Sequence, residues 1–278
     1  MSDSSYERGA MLARRLVIGL LVLVLAACSG PPGPRTDAAS ARRVLFVGNS
    51  LVYVGNLPAV YCALLAAQGH AASCDMIVAG GATLASHLER TAVADALANG
   101  DYDAVVLQER GGDLMCAPAD QRCMQSRHAL ARLAAMAGAR GARVVLLGTY
   151  QPHPIASQRL VAGESAAAAA VSIPYVEISE TWQRLRAQSP DLEWLDADGG
   201  HPGAALTLLD ALRLHEVLEG RLPRAQTLAV EAPDFGPSAG LLPTLRRADA
   251  PPPRPATPVG IGYERQAVAD MLRRLAGP

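Results

Sequence analysis

Aromatic residues make up only 4% of this 278-residue chain, so neither an extensive base-stacking surface nor an aromatic sugar platform is expected. Neither sign of charge dominates: 25 Lys and Arg stand against 26 Asp and Glu, a net charge of -1 at pH 7, which gives no footing for nucleic-acid binding through phosphates. Phosphate-cofactor motifs are missing too. No Gly-x-x-x-x-Gly-Lys-Ser/Thr string occurs, and Gly260-Ile261-Gly262 lacks the third glycine of a dinucleotide fingerprint. No internal repeat is evident. Half of the residues are hydrophobic, ample for a sizeable core.

The first apolar feature is a run of twelve residues, 16–27, behind Arg14-Arg15. It is too short to cross a bilayer as a helix and has the length of a signal-peptide core. The run ends in Leu25-Ala26-Ala27-Cys28, which resembles the bacterial lipobox. That resemblance implies lipidation of Cys28, with the mature chain held at the envelope, in the periplasm or at the outer membrane, by an N-terminal lipid anchor. A plain secretory peptide with an incidental cysteine is the alternative. Met11 offers a second start, because the preceding residues are polar and acidic for the head of such a peptide. The expected organisation is a signal peptide at 1–27, a proline-rich tether at 28–42, a catalytic-type domain at 43–220 and an extension at 221–278.

Export puts the remaining cysteines in an oxidising compartment, where an even set reads as disulfides. Cys62, Cys74, Cys116 and Cys123 allow three pairings. The favoured one joins Cys62 to Cys74, tying a helix to the next strand, and Cys116 to Cys123, closing a loop. A zinc site is the alternative, but neither pair has two-residue ligand spacing and no histidine is suitably near.

Short continuous apolar runs predict buried parallel strands at 43–48, 73–78, 103–108, 143–149 and 174–178. Helical patterns fall between them at about 56–68, 83–98, 118–138 and 157–170, and a last core helix is expected from 202 to 219, stopped by Gly220. Such alternation predicts an α/β three-layer sandwich of flavodoxin-like type around a five-stranded parallel sheet. The proline-rich stretch 232–258 reads as an extended, partly disordered surface segment, and 261–276 as a terminal helix docking back on the domain.

In this architecture ligands meet the carboxyl ends of the strands. The first strand breaks at Gly48-Asn49-Ser50-Leu51, which sets a hydroxyl there. Far downstream, Asp198-Gly199-Gly200-His201-Pro202 offers a carboxylate and an imidazole three residues apart. That spacing lets Asp198 orient the ring while His201 takes a serine proton. No Gly-x-Ser-x-Gly elbow is expected in the chain, and Ser50 follows the first strand, which argues against an ordinary α/β-hydrolase.

Taken together over roughly residues 43–218, these segments resemble the SGNH (GDSL-type) hydrolases. Gly48-Asn49-Ser50-Leu51 is similar to the first block, with Asn49 where many members have Asp. Gly80-Gly81-Ala82-Thr83-Leu84 is similar to the second, and Gly81 matches the glycine whose N–H meets the oxyanion. The third block departs: most members carry Gly-x-Asn-Asp, whereas this chain has Val105-Val106-Leu107-Gln108-Glu109. Gln108 stands where the oxyanion asparagine would be, and a glutamine amide is the same kind of donor. Asp198-Gly199-Gly200-His201 fits the last block without alteration.

The resemblance implies an exported serine esterase with Ser50, Asp198 and His201 as triad and Ser50, Gly81 and Gln108 as oxyanion hole, needing no cofactor and no metal. Its implied substrate is a small acyl ester or an acylated carbohydrate, for instance an O-acetyl ester. The rivals are a catalytically inactive glycan or envelope binding protein of the same fold, and an O-acyltransferase using the same triad. Histidines 70, 87, 128, 153 and 215 read as structural or surface residues, with His153 a candidate to line the pocket. Residues 109–113 are polar and fall near the expected site; a charge run is usually a solvated loop, and the sequence leaves their role open.

Overall fold

The computed structural model describes residues 41–277 except 117–119 and 256, so Cys28, the signal peptide and nearly all of the tether lie outside the described residues. The sheet is built from β1 (Arg42–Gly48), β2 (Ala72–Val78), β3 (Ala104–Leu107), β4 (Arg143–Leu147) and β5 (Tyr175–Val176), all parallel, in the order β5-β4-β3-β1-β2. Alternate residues of each central strand enter opposite layers. Val44, Phe46 and Val106 pack with one core, Leu45, Val47 and Leu107 with the other. Burial on both faces is why these strands read as unbroken apolar runs.

A sixth strand, β7 (Arg246–Arg247), pairs antiparallel with β2 at the edge, so the expected five-stranded sheet gains one strand from the C-terminal extension. The extension is also less loose than its prolines suggest. β6 (Leu228–Pro233) and β8 (Val259–Tyr263) form a separate antiparallel pair, and Phe235, Leu241 and Ala248 are buried in the main core. Proline removes ladder donors but not side-chain burial. The segment is therefore extended, as expected, yet held by Phe235 and by the edge pairing.

One layer carries α2 (Leu57–Ala67), α7 (Ser179–Gln188), α8 (Ala204–Glu219) and α9 (Arg265–Ala276); the other carries α3 (Leu84–Leu88), α4 (Ala92–Asn99), α5 (Gln121–Gly138) and part of α6 (Pro154–Ala170). The single helix expected at 83–98 is two, because the chain turns at Glu89–Thr91 before α4 begins. The last core helix starts at Ala204 instead of Pro202. The Gly203 N–H goes to the Trp194 carbonyl and Pro202 bridges to Leu195, so residues 201–203 are spent on a turn before the helix can begin. Disulfides join Cys62 to Cys74 and Cys116 to Cys123, the favoured pairing.

Candidate active site

Ser50 is the first residue of a one-turn helix, α1 (Ser50–Tyr53), set directly on the end of β1. Asn49 caps it: its side-chain oxygen accepts the Leu51 N–H at 3.0 Å, while Val52 and Val54 close the turn onto Asn49 and Ser50 carbonyls. The cap satisfies a donor the short helix leaves open, which suits Asn at this position. A small residue suits the position before it: a Cβ at Gly48 would lie 2.7 Å from Val52 Cγ2, so a larger residue there would force the Val52 side chain or its turn to shift. Beneath the turn, the His87 ring nitrogen Nε2 is 2.7 Å from the Gly48 carbonyl, and burial lowers the pKa of His87. This is the structural role expected of His87, at a place the sequence did not foretell.

The second block forms a turn after β2, with the Ala82 N–H on the Ala79 carbonyl and Gly81 in left-handed backbone at φ +67°. It lies against α1: a Cβ at Gly80 would be 3.2 Å from the Tyr53 hydroxyl. The N–H groups of Ser50 and Gly81 make no hydrogen bond among the described residues and are free to serve an incoming oxygen.

Gln108 continues from the end of β3, beside Gly48 on the neighbouring strand. Its amide nitrogen meets the Gly148 carbonyl at 3.5 Å, a distance at the limit for a hydrogen bond, and its side-chain oxygen has no partner among the described residues. The next residue gives part of the run 109–113, left open by the sequence, a buried role. Glu109 is 1% exposed, takes the N–H groups of Leu84 and Arg110 on its carboxylate, and has its pKa raised by burial. It accepts the first N–H of α3, so it holds the second block to the third strand. Only Arg110 and Asp113 of that run form a surface ion pair.

Asp198 and His201 occupy an exposed turn before α8. The carboxylate accepts the N–H groups of Gly200 (2.8 Å) and His201 (3.0 Å) with one oxygen and faces the imidazole Nδ1 at 2.5 Å with the other. These bonds, led by the His201 N–H, hold its pKa down at about 2. The acid is thus ionised and fixed, and Nε2 of the ring is left for other chemistry.

Contacts link the strand ends that carry these groups. A Cβ at Gly111 would lie 3.8 Å from Leu51 Cδ1 and 3.9 Å from Thr149 Oγ1, and the next residue, Tyr150, donates its hydroxyl to the Gly200 carbonyl at 2.7 Å. His153 does not join them in any hydrogen bond; it is exposed and lines a surface groove with Met115, Arg127 and Arg159. A Gly-x-Ser-x-Gly string does exist, at Gly236–Gly240, but Ser238 sits exposed in a turn between coil segments, whereas an elbow needs a strand-to-helix corner.

No protein-family model matches the chain, and a search of curated proteins gives no match. Solved structures do match. A Slackia heliotrinireducens protein assigned to the SGNH hydrolases is 30% identical, with a TM-score of 0.53, over 64% of this chain and 99% of that one. TesA is 26% identical, with a TM-score of 0.50, over 64% and 99%. A variant of an acetyl-xylooligosaccharide esterase from Geobacillus Stearmophilus is similar in fold alone, at 13% identity and a TM-score of 0.50 over 66% and 97%.

Proposed function

The chain belongs to the SGNH hydrolases, and from that premise we propose that it is an exported serine esterase that cleaves a small acyl ester through an acyl-serine intermediate. The observation that carries the reading is the Asp198–His201 pair at 2.5 Å, on a chain whose first strand ends in a capped serine. In this scheme the Ser50 hydroxyl attacks the ester carbonyl while His201 Nε2 takes its proton. The tetrahedral oxyanion is met by the N–H groups of Ser50 and Gly81 and by the Gln108 amide. Collapse expels the alcohol, which leaves with the proton from His201, and water repeats the sequence to release the acid. Asp198 holds the ring in one tautomer.

An O-acetyl group on a carbohydrate is the substrate we favour. The support is that the same fold carries an acetyl-xylooligosaccharide esterase, a likeness of fold that assigns no sugar to this chain. One observation favours the binding-module rival: the Gln108 amide is already turned to Gly148, and a site without its third donor would bind without turning over. Turnover of p-nitrophenyl esters of increasing acyl length separates the two. The esterase reading expects activity, greatest on acetate, that is nearly abolished in Ser50→Ala and in His201→Ala but retained in part by Asp198→Asn, since an orienting group is partly replaceable. No turnover by the folded parent chain would leave the binding module standing.

A further inference from the structure

The turn that carries Asp198 and His201 is exposed and built around two glycines. The Asp198 and His201 side chains are 39% and 24% exposed, and Gly199 sits in left-handed backbone at φ +70°. Glycine has more backbone freedom than any other residue, so the turn, with acid and base tied to each other, has little of its own to fix its place against the sheet. Its other hydrogen bonds are local: Asp198 to Gly200 and His201, Gly199 to Asp196, and Asp196 to His201. They shape the turn and say nothing about where it stands relative to the sheet.

Among the described residues, one hydrogen bond reaches this turn from another element, the Tyr150 hydroxyl to the Gly200 carbonyl at 2.7 Å. The backbone on either side of that side chain is tied to neighbouring elements. Preceding it, Thr149 gives both its N–H and its hydroxyl to the buried Glu164 carboxylate. Following it, Gln151 gives its N–H to Ser179 Oγ and takes the Gln183 amide on its carbonyl. The ring stands edge-on to fully buried Trp182, with centroids 5.1 Å apart. Burial raises the pKa of the phenol, helped by the carboxylates of Asp210 and Asp198, so the hydroxyl remains a donor at any working pH.

We propose that Tyr150 is a positioning residue: a rigid strut from the end of β4 that sets where the His201 imidazole stands, by holding the Gly200 carbonyl between acid and base. The inference rests on the esterase reading for its kinetic consequence but not for its structural one. Tyr150→Phe keeps the ring against Trp182 and removes only the hydroxyl. The Gly200 carbonyl lies in an exposed glycine and can turn to water, so the global fold loses little while the turn regains its freedom.

The test is Tyr150→Phe in the full chain, with p-nitrophenyl acetate kinetics, thermal unfolding and the NMR resonance of the His201 Nδ1 proton read together. The strut predicts a fall in kcat of about tenfold, the size of one hydrogen bond's worth of misplacement, with KM within about twofold of the parent. The Nδ1 resonance should shift or broaden while the melting temperature stays within a few degrees. An unmoved resonance with parental kcat overturns the proposal. So does a lower kcat that comes only with a large loss of melting temperature and an unmoved resonance, since Tyr150 would then be a packing residue. If the parent itself turns over no ester, the esterase reading fails separately, and the resonance alone decides: moved, the strut stands; unmoved, it falls.

Discussion

At the scale of single residues, the chemistry turns on how each polar group is held before substrate arrives. The Asp198 carboxylate has a pKa of about 2, set first by the His201 and Gly200 N–H groups and then by the ring. Because the folded value is depressed, its stabilising charge is fully present above the ordinary carboxylate range, near 4, and is lost as pH falls through about 2. Gln108 is the opposite case, a buried amide with one weak bond and one unpartnered oxygen, which leaves it free to change partner when negative charge develops nearby. If its amide meets the oxyanion more strongly than the ground-state carbonyl, Gln108→Ala should lower kcat by about a hundred- to a thousandfold with KM nearly unchanged. Asn in its place should not rescue fully, since the donor retreats by about one carbon–carbon bond and a misplacement near 1 Å is costly. Steady-state kinetics on an acetate ester decide this, and parental activity in Gln108→Ala would remove the residue from the oxyanion hole.

At the scale of elements, the strands were legible and some of the helices were not. β1 to β4 bury both faces, so sequence marks them as apolar runs within a few residues of their true ends. The helix α7 does not show in the sequence because Trp182 and Leu185 stand in a polar stretch, too few for a period to emerge, and α1 does not because Ser50–Tyr53 is a single turn whose residues suit a strand equally well. β7 was hidden for another reason: it joins the sheet through its backbone, while its two arginines read as surface. In the site, the Asp198–His201 pair is a local spacing and could be read, but the Tyr150 contact spans fifty residues and ends on a backbone carbonyl, which no motif records. Glu109 and Glu164 were equally silent, since a buried carboxylate that accepts backbone N–H groups looks in sequence like any charged residue.

Glu164 is a buried acid on α6. Fully enclosed between the end of β4, α6 and Tyr175, its carboxyl is pushed up to about 7 by burial, against the partial relief given by Thr149 and Tyr175. A raised acid pKa means that the folded chain binds the proton more tightly than the unfolded one, so stability falls as pH rises from about 4.5 to about 7 and stays lower above it. Glu164→Gln removes that dependence while keeping an oxygen for Thr149. Its stability should match the parent near pH 4 and exceed it by about 1 to 3 kcal/mol at pH 8. Urea unfolding at both pH values measures the difference, and equal gaps at the two would show that Glu164 is not the group that titrates.

At the scale of the whole molecule, the C-terminal extension belongs to the same body as the hydrolase core. Phe235 bridges to the end of α1 through Val54, Pro237 takes the Tyr53 hydroxyl, and α9 buries Val268 and Met271 beside α8. The extension therefore backs the helix that bears Ser50. At the other end, residues 16–28 carry the expectation of export and a lipid anchor. Cys28→Ser expressed in a bacterial host should move the mature chain out of the detergent phase or leave it unprocessed, and an unchanged, processed, membrane-bound product would speak against the anchor. Whether Ser50 is a nucleophile activated by His201 is decided by fluorophosphonate labelling of the folded full chain with the adduct mapped by mass spectrometry. One phosphonyl adduct is expected on Ser50, lost in Ser50→Ala and strongly slowed in His201→Ala; an unlabelled Ser50 in the folded chain, or an adduct on Ser238 instead, would show that Ser50 is not the activated nucleophile.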